Sequence, residues 1–214
     1  MKVTHDDEDS LAQRLPTILG GVLATLAIVV GGLWISGKAG LPSPQAVLSQ
    51  AIPQSKPVLT GPVLALGDSV LLGAKRCLDG TDVLTRAREN RTMKEGATRI
   101  EKRAAAGNLP PRLVVALGTN GPFGFKALDR IMRAAGPDRS VYWVTIELPE
   151  VDKYAYEDTV NQRLRAMPGR WPNAHVIDWN ASVLTAGLYP DGIHLNPVGC
   201  QAYATLITEG VKKG

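Results

Sequence analysis

Two hydrophobic patterns divide the chain. From Leu15 to Gly37 there is no charged residue, and the run ILGGVLATLAIVVGGLWI, Ile18 to Ile35, is almost wholly apolar. At about 1.5 Å per residue such a run crosses a hydrocarbon core of about 30 Å, so residues 15–37 are predicted as a transmembrane helix. A buried core helix of that length usually keeps a polar face, and this run has none. A cleaved signal peptide fits less well, because the leading segment MKVTHDDEDSLAQR is long and acidic and no Ala-x-Ala site follows the apolar run. Residues 1–14 are then expected to be a cytoplasmic tail. Positive charge near the span is almost evenly divided, with Lys2 and Arg14 on one side and Lys38 and the more distant Lys56 on the other.

Residues 38–61 carry Pro42, Pro44, Pro53 and Pro57 with few aromatics, the composition of an extended, semi-rigid linker. Beyond it, in residues 62–214, short apolar runs alternate with amphipathic stretches. The runs Val63 to Gly67, Asp82 to Arg88, Arg112 to Gly118, Ser140 to Leu148 and Ala174 to Trp179 are predicted strands. Helical periodicity covers Ser69 to Leu78, Met93 to Ala106, Lys126 to Ala135 and Tyr156 to Met167. A last helix is predicted after Asn196 as N-cap, with Pro197 at its first position. Alternation at this spacing implies parallel strands joined by right-handed crossovers. The predicted fold class is a three-layer α/β/α sandwich around a parallel five-stranded sheet.

Charge changes the picture in one place. Of the net +4, the excess lies between Arg86 and Arg103, where seven Arg and Lys face Glu89, Glu95 and Glu101. Nucleic acid and an acidic envelope polymer are two readings of such a cluster. A solvated helix face with i,i+4 pairs such as Glu95 with Arg99 is the reading adopted, and nucleic acid is not an expected partner. Cys77 and Cys200 are the only cysteines. In an exported domain they form a disulfide, and in a cytoplasmic one they are two small buried residues, so their pairing stays open.

In a parallel sheet, sites form at the carboxyl ends of the strands. That rule selects GDS after the first strand, ENRT after the second, GTNGPFG after the third, and YPDGIHLNP beyond the fifth. Taken alone, Asp68 or Ser69 is an ordinary helix cap and Asn120 an ordinary turn residue. Histidine is more informative. The domain has only His175, inside a predicted strand, and His194, in a loop with Asp191 three residues earlier and Gly192 between them. A carboxylate at that distance orients the imidazole through Nδ1 and leaves Nε2 to take a proton from a serine hydroxyl. No further His or Cys lies at metal-ligand spacing, so neither metal nor cofactor is expected.

The blocks ALGDSV, ALGTNGPF and DGIHLN, in this order on this scaffold, resemble the SGNH (GDSL) hydrolase superfamily. GTNGPF, VYWVTIELP, VNQRL, HVIDW and PDGIHLNPVG narrow the resemblance to the extracytoplasmic SGNH domain of bacterial peptidoglycan O-acetyltransferases and related membrane acyltransferases. The resemblance implies Ser69 as nucleophile, His194 as base and Asp191 as its orienter. It implies an oxyanion hole from the Ser69 N–H and the Asn120 side chain, with Gly118, Thr119 and Gly121 around the substrate. Where the superfamily has a glycine in its second block this chain has Asn90, whose backbone N–H is then the matching donor. The expected function is a membrane-anchored serine O-acyltransferase, modifying a cell-envelope glycan outside the cytoplasm. In the resembled acyltransferases a multi-pass domain supplies the acyl group; that portion is missing here, which implies a separate multi-pass partner. A carbohydrate or lipid esterase and a catalytically silent polymer-binding module are the rival readings.

Overall fold

The computed structural model describes residues 62–183 and 185–213. The predicted cytoplasmic tail, transmembrane helix and linker all lie outside the described residues. Five strands, β1 (Val63–Gly67), β2 (Val83–Ala87), β3 (Arg112–Ala116), β4 (Ser140–Val144) and β5 (Ala174–Ile177), pair in parallel in the order β2-β1-β3-β4-β5. Six α-helices join or follow them: α1 (Ser69–Leu78), α2 (Met93–Ala105), α3 (Phe125–Ala135), α4 (Glu157–Arg165), the single turn α5 (Met167–Arg170) and α6 (Pro197–Lys213). This is the expected three-layer α/β/α sandwich.

The strands read as near-continuous apolar runs because both faces of the sheet are covered. Their alternation sorts them into two cores. Leu64, Leu66, Leu113 and Val115 face α2, α3 and α4, where they meet Ile100, Leu128, Ile131, Val160 and Leu164. Val63, Ala65, Val114 and Tyr142 face the other way, against Leu71, Ala74 and Leu78 of α1 and Tyr203, Ile207 and Val211 of α6. A slip of one residue in any central strand would exchange these two sets, so the register is strongly specified.

That register places the site. Gly67, the last residue of β1, lies beside Ala87 of β2 and Ala116 of β3. Three strands therefore end at one level, and their loops emerge together. From β1 the chain leads to β2 on one side and the sheet continues to β3 on the other, so the carboxyl end of β1 is the topological switch point where such sheets bind ligands.

Some strands stop earlier than their hydrophobic runs. Ile146 and Leu148 are buried, yet β4 ends at Val144. Beyond it Asn161 of α4 takes the place of a neighbouring strand: its Oδ1 accepts from Ile146 N–H at 2.8 Å, and its Nδ2 donates to Ile146 C=O at 2.9 Å. The single predicted helix Tyr156 to Met167 is two, α4 and α5, with Pro168 in the first turn of the second. Glu95 pairs with Arg88 at 2.7 Å and with the backbone N–H of Thr92 in a capping box, rather than with Arg99.

Helices α1 and α6 pack side by side, and Cys77 and Cys200 form a disulfide between them, with Cα atoms 5.9 Å apart. The bond closes a loop of 123 residues, so it removes a large entropy from the unfolded chain. Reduction, or the double change Cys77→Ala with Cys200→Ala, is expected to lower unfolding free energy by about 3 to 5 kcal/mol. Urea unfolding with and without reductant measures this, and coincident midpoints would rule the pairing out.

Candidate active site

Asp68 is the residue on which the loops converge. It is 1% exposed and caps α1, its Oδ1 accepting from Val70 N–H at 3.1 Å. Its Oδ2 accepts from the hydroxyl of Thr119 at 2.8 Å, which ties the turn after β1 to the turn after β3. Burial raises the pKa of this carboxyl, against the opposing effect of the Thr119 hydroxyl and the backbone N–H groups of Val70, Thr119 and Gly118. Ser69 follows at the first helical position, half-buried, with its N–H among the orphan donors at the positive end of α1.

The partner of Ser69 comes from the loop before α6. Asp191 folds that loop on itself: Oδ1 accepts from the N–H groups of Ile193 and His194, both at 2.9 Å, while Oδ2 lies 2.7 Å from His194 Nδ1. Gly192, between them, has φ +70, in the left-handed region. Burial opposes ionisation of Asp191, but the His194 backbone N–H, the His194 ring and the Ile193 N–H outweigh it and hold the carboxyl at about 2. Asp191 is therefore a carboxylate at neutral pH. It stabilises the tautomer with the proton on Nδ1, and Nε2 then faces Ser69 Oγ at 3.0 Å as an acceptor.

The loop is held in place from its far side. Asn196 caps α6 through Val198 and Gly199 N–H and reaches back with Nδ2 to the carbonyls of Ala186 and Leu188. At Gly199 a Cβ would overlap the carbonyl oxygen of Gly187, so only glycine lets the start of α6 approach this closely.

The second and third loops complete the rim. Asn90 is the only residue other than glycine with positive φ among the described residues, at +56, the conformation that Asn tolerates better than most. Asn120 donates from Nδ2 to Thr119 Oγ1 at 3.2 Å and to the Arg91 carbonyl at 3.4 Å. Both contacts are long, and an oxyanion would be a stronger acceptor than either. The amide is thus aimed by a chain running from Asp68 through Thr119. Ser69, Asn90, Thr119, Asn120, Gly121 and His194 all line one open cleft of about 850 Å³.

Gly118, expected around the substrate, does not line the cleft. It is buried, and a Cβ there would lie 2.9 Å from Ile146 Cγ2 while φ is +148, so packing and backbone conformation require the glycine. His175, placed inside a predicted strand, stacks on Tyr142 with ring centroids 4.7 Å apart, and burial lowers its pKa.

Two features lay beyond the sequence reading. Tyr154 and Tyr156, with Lys153, form one wall of the cleft, and Tyr156 also donates its hydroxyl to the Thr119 carbonyl at 2.8 Å. Their signal was aromatic density in DKYAYED, after the fourth strand. Arg91 is 6% exposed and donates from Nη1 to the carbonyls of Gly67 and Arg86 at 2.7 and 2.6 Å. No pattern distinguishes that arginine from its exposed neighbours. Among the described residues no three His, Cys, Asp or Glu side chains gather at metal-binding distance.

No protein-family model matches the chain. Over 155 residues it is 28% identical to YrhL of Bacillus subtilis, provisionally named a peptidoglycan O-acetyltransferase, covering 70% of this chain and 24% of that one. Over 162 residues it is 26% identical to the peptidoglycan O-acetyltransferase OatA of Listeria monocytogenes, covering 74% and 25%. The chain thus spans about a quarter of the length of these curated relatives. Among solved structures, the C-terminal catalytic domain of Streptococcus pneumoniae peptidoglycan O-acetyltransferase A superposes with TM-score 0.64 at 22% identity, over 72% of this chain and 94% of that one. A GDSL-like lipase of Bacteroides thetaiotaomicron superposes with TM-score 0.60 at 18% identity, over 71% and 87%. In fold the chain is similar to the GDSL class of domain, to which these solved O-acetyltransferase and lipase structures compare. Within that class, the relatives it matches in sequence carry the name of peptidoglycan O-acetyltransferases.

Replacing Asn120 with Ala removes a donor from the rim without touching either core. Turnover of an acetyl ester is expected to fall about 10²- to 10³-fold while the thermal midpoint moves little. Steady-state kinetics beside thermal unfolding checks this, and equal turnover by the variant would rule out the oxyanion-donor role expected of Asn120.

Proposed function

We propose that this domain is a serine O-acyltransferase, transferring acetyl to a hydroxyl of a cell-envelope glycan through a covalent acyl-enzyme. The observation that carries the reading is the hydrogen-bonded series Asp191 Oδ2, His194 Nδ1, His194 Nε2 and Ser69 Oγ, with separations of 2.7 and 3.0 Å, of which His194 and Ser69 line an open cleft. In this mechanism His194 Nε2 takes the hydroxyl proton as Ser69 Oγ attacks the acyl carbonyl carbon. The carbonyl π electrons move to oxygen, and the oxyanion is met by the Ser69 N–H, the Asn120 amide and the Asn90 N–H. Collapse of the intermediate expels the leaving group, which takes the proton from His194, and Ser69 is left acylated. The acceptor hydroxyl then gives its proton to His194 and attacks the same carbon. A second collapse frees Ser69, which recovers its proton.

Transfer and hydrolysis differ only in the acceptor, and the sequence similarity to O-acetyltransferases supports transfer. The cleft supports a sugar as acceptor, since Tyr154 and Tyr156 offer aromatic surface beside Ser69. We place the enzyme at a bacterial cell membrane, single-pass, with the domain extracytoplasmic. The uncharged run over residues 15–37 and a disulfide suited to an oxidising compartment support that location. In this scheme the acyl group arrives from a multi-pass membrane acyltransferase.

Incubating the protein with 4-nitrophenyl acetate and a chitooligosaccharide tests the reading. The expected result is an acetylated sugar that Ser69→Ala fails to form, with ester turnover in that variant reduced by about 10⁴-fold or more. Free acetate as the sole product, with the sugar unchanged, would make the domain an esterase. Undiminished turnover by Ser69→Ala would overturn the mechanism.

A further inference from the structure

The basic segment takes no part in the chemistry above, yet it is shaped. Along the exposed side of α2 runs a groove of about 640 Å³, lined by Arg88, Arg91, Lys94, Glu95, Arg99 and Lys102 among others. Five of these six are cations. The side chains of Lys94, Arg99 and Lys102 are exposed and make no hydrogen bond or ion pair with described residues. Glu95, the one acid in the lining, is already engaged: Thr92 N–H and the Thr92 hydroxyl meet Oε2, and Arg88 meets Oε1. At the base sits Arg91, 6% exposed, whose guanidinium donates to the carbonyl oxygens of Gly67 and Arg86 and, among the described residues, to no other acceptor. Burial depresses the Arg91 pKa, and Arg99 and Arg88 add to the effect, a sign that these cations crowd one another.

A solvated helix face spreads its charges and alternates their sign. Here like charges converge on a concave surface, and repulsion of that kind is relieved by a bound anion. The groove also has a direction. Lys94, Thr98 and Lys102 follow one another at four-residue spacing, so the cationic line is about 12 Å long at 1.5 Å per residue. Its near end reaches Arg88 and Arg91, and between them in the chain lie Glu89 and Asn90, which line the active-site cleft. Residues 88–91 are a shared wall between cleft and groove.

We infer that the groove along α2 binds an anionic stretch of the glycan polymer whose hydroxyl enters the cleft, so that the acceptor is a polymer bearing carboxylate or phosphate groups. The inference rests on the acyl-transfer reading above. The groove adds affinity for the polymer and selects charged acceptors over neutral ones, while Ser69 and His194 act on the hydroxyl presented next to it.

The full chain in dodecyl maltoside, titrated with fluorescein-labelled carboxymethyl-dextran and with uncharged dextran of equal length, tests this by fluorescence anisotropy. The protein is expected to bind the carboxymethylated polymer, with affinity that falls as salt is raised, and not the uncharged one. The variant Lys94→Gln/Arg99→Gln/Lys102→Gln, changed only at exposed positions, is expected to bind about tenfold more weakly. Binding of the variant equal to that of the parent, or equal binding of neutral dextran, would overturn the inference. So would displacement of the polymer by phosphatidylglycerol micelles at lower charge concentration, which would assign the groove to a lipid surface. Ser69→Ala separates this inference from the catalytic reading: it is expected to lose ester turnover and keep polymer binding. Full turnover in Ser69→Ala, together with polymer binding lost in the triple variant, would overturn the catalytic reading alone.

Discussion

A single buried carboxyl group, that of Asp68, organises the end of this domain where the cleft opens. Asp68 stands between β1 and α1 with almost no exposure, and each of its oxygens has a donor from a different part of the chain. A buried carboxylate is costly unless its oxygens are satisfied, so folding that buries Asp68 must also bring Thr119 to it. Thr119 then accepts from Asn120, and its carbonyl accepts from Tyr156. Three strands ending at the same level make this convergence geometrically cheap. Ser69, one residue further on, inherits a fixed position at the start of a helix.

The histidine arrives by a separate route. Its loop is self-supporting, since Asp191 accepts from two backbone N–H groups and also holds the ring. The close approach of Gly187 and Gly199, the Asn196 cap and the disulfide between α1 and α6 then carry that preformed unit to Ser69, 125 residues away in the chain. Division of labour between a loop that sets the Asp–His geometry and helices that set its distance from serine explains why the pair is legible as a short motif.

Much of the architecture could be read from pattern. Strand centres, helix centres and the convergence of loops follow from apolar period and from the parallel-sheet rule, and Asn90, Asn120, Asp191 and His194 all fell in selected loops. What escaped depends on contacts between distant segments. The end of β4 is set by the Asn161 side chain substituting for a strand, the pairing of Cys77 and Cys200 by helix adjacency, and the burial of Arg91 by carbonyls at the ends of β1 and β2. At Gly118 the packing demand is equally long-range, since Ile146 and Val160 behind the loop leave no room for a Cβ.

Acyl transfer by this domain requires that Ser69 carry the acyl group between donor and acceptor. The most direct measurement is acid quench of the protein during turnover of 4-nitrophenyl acetate, followed by mass spectrometry of its peptides. The expected result is the mass of one acetyl group on the peptide containing Ser69, absent when His194 is replaced by Ala and lost when a sugar acceptor is added before the quench. Turnover with no acetyl on that peptide, or acetyl accumulating on another side chain at the rate of turnover, would contradict it.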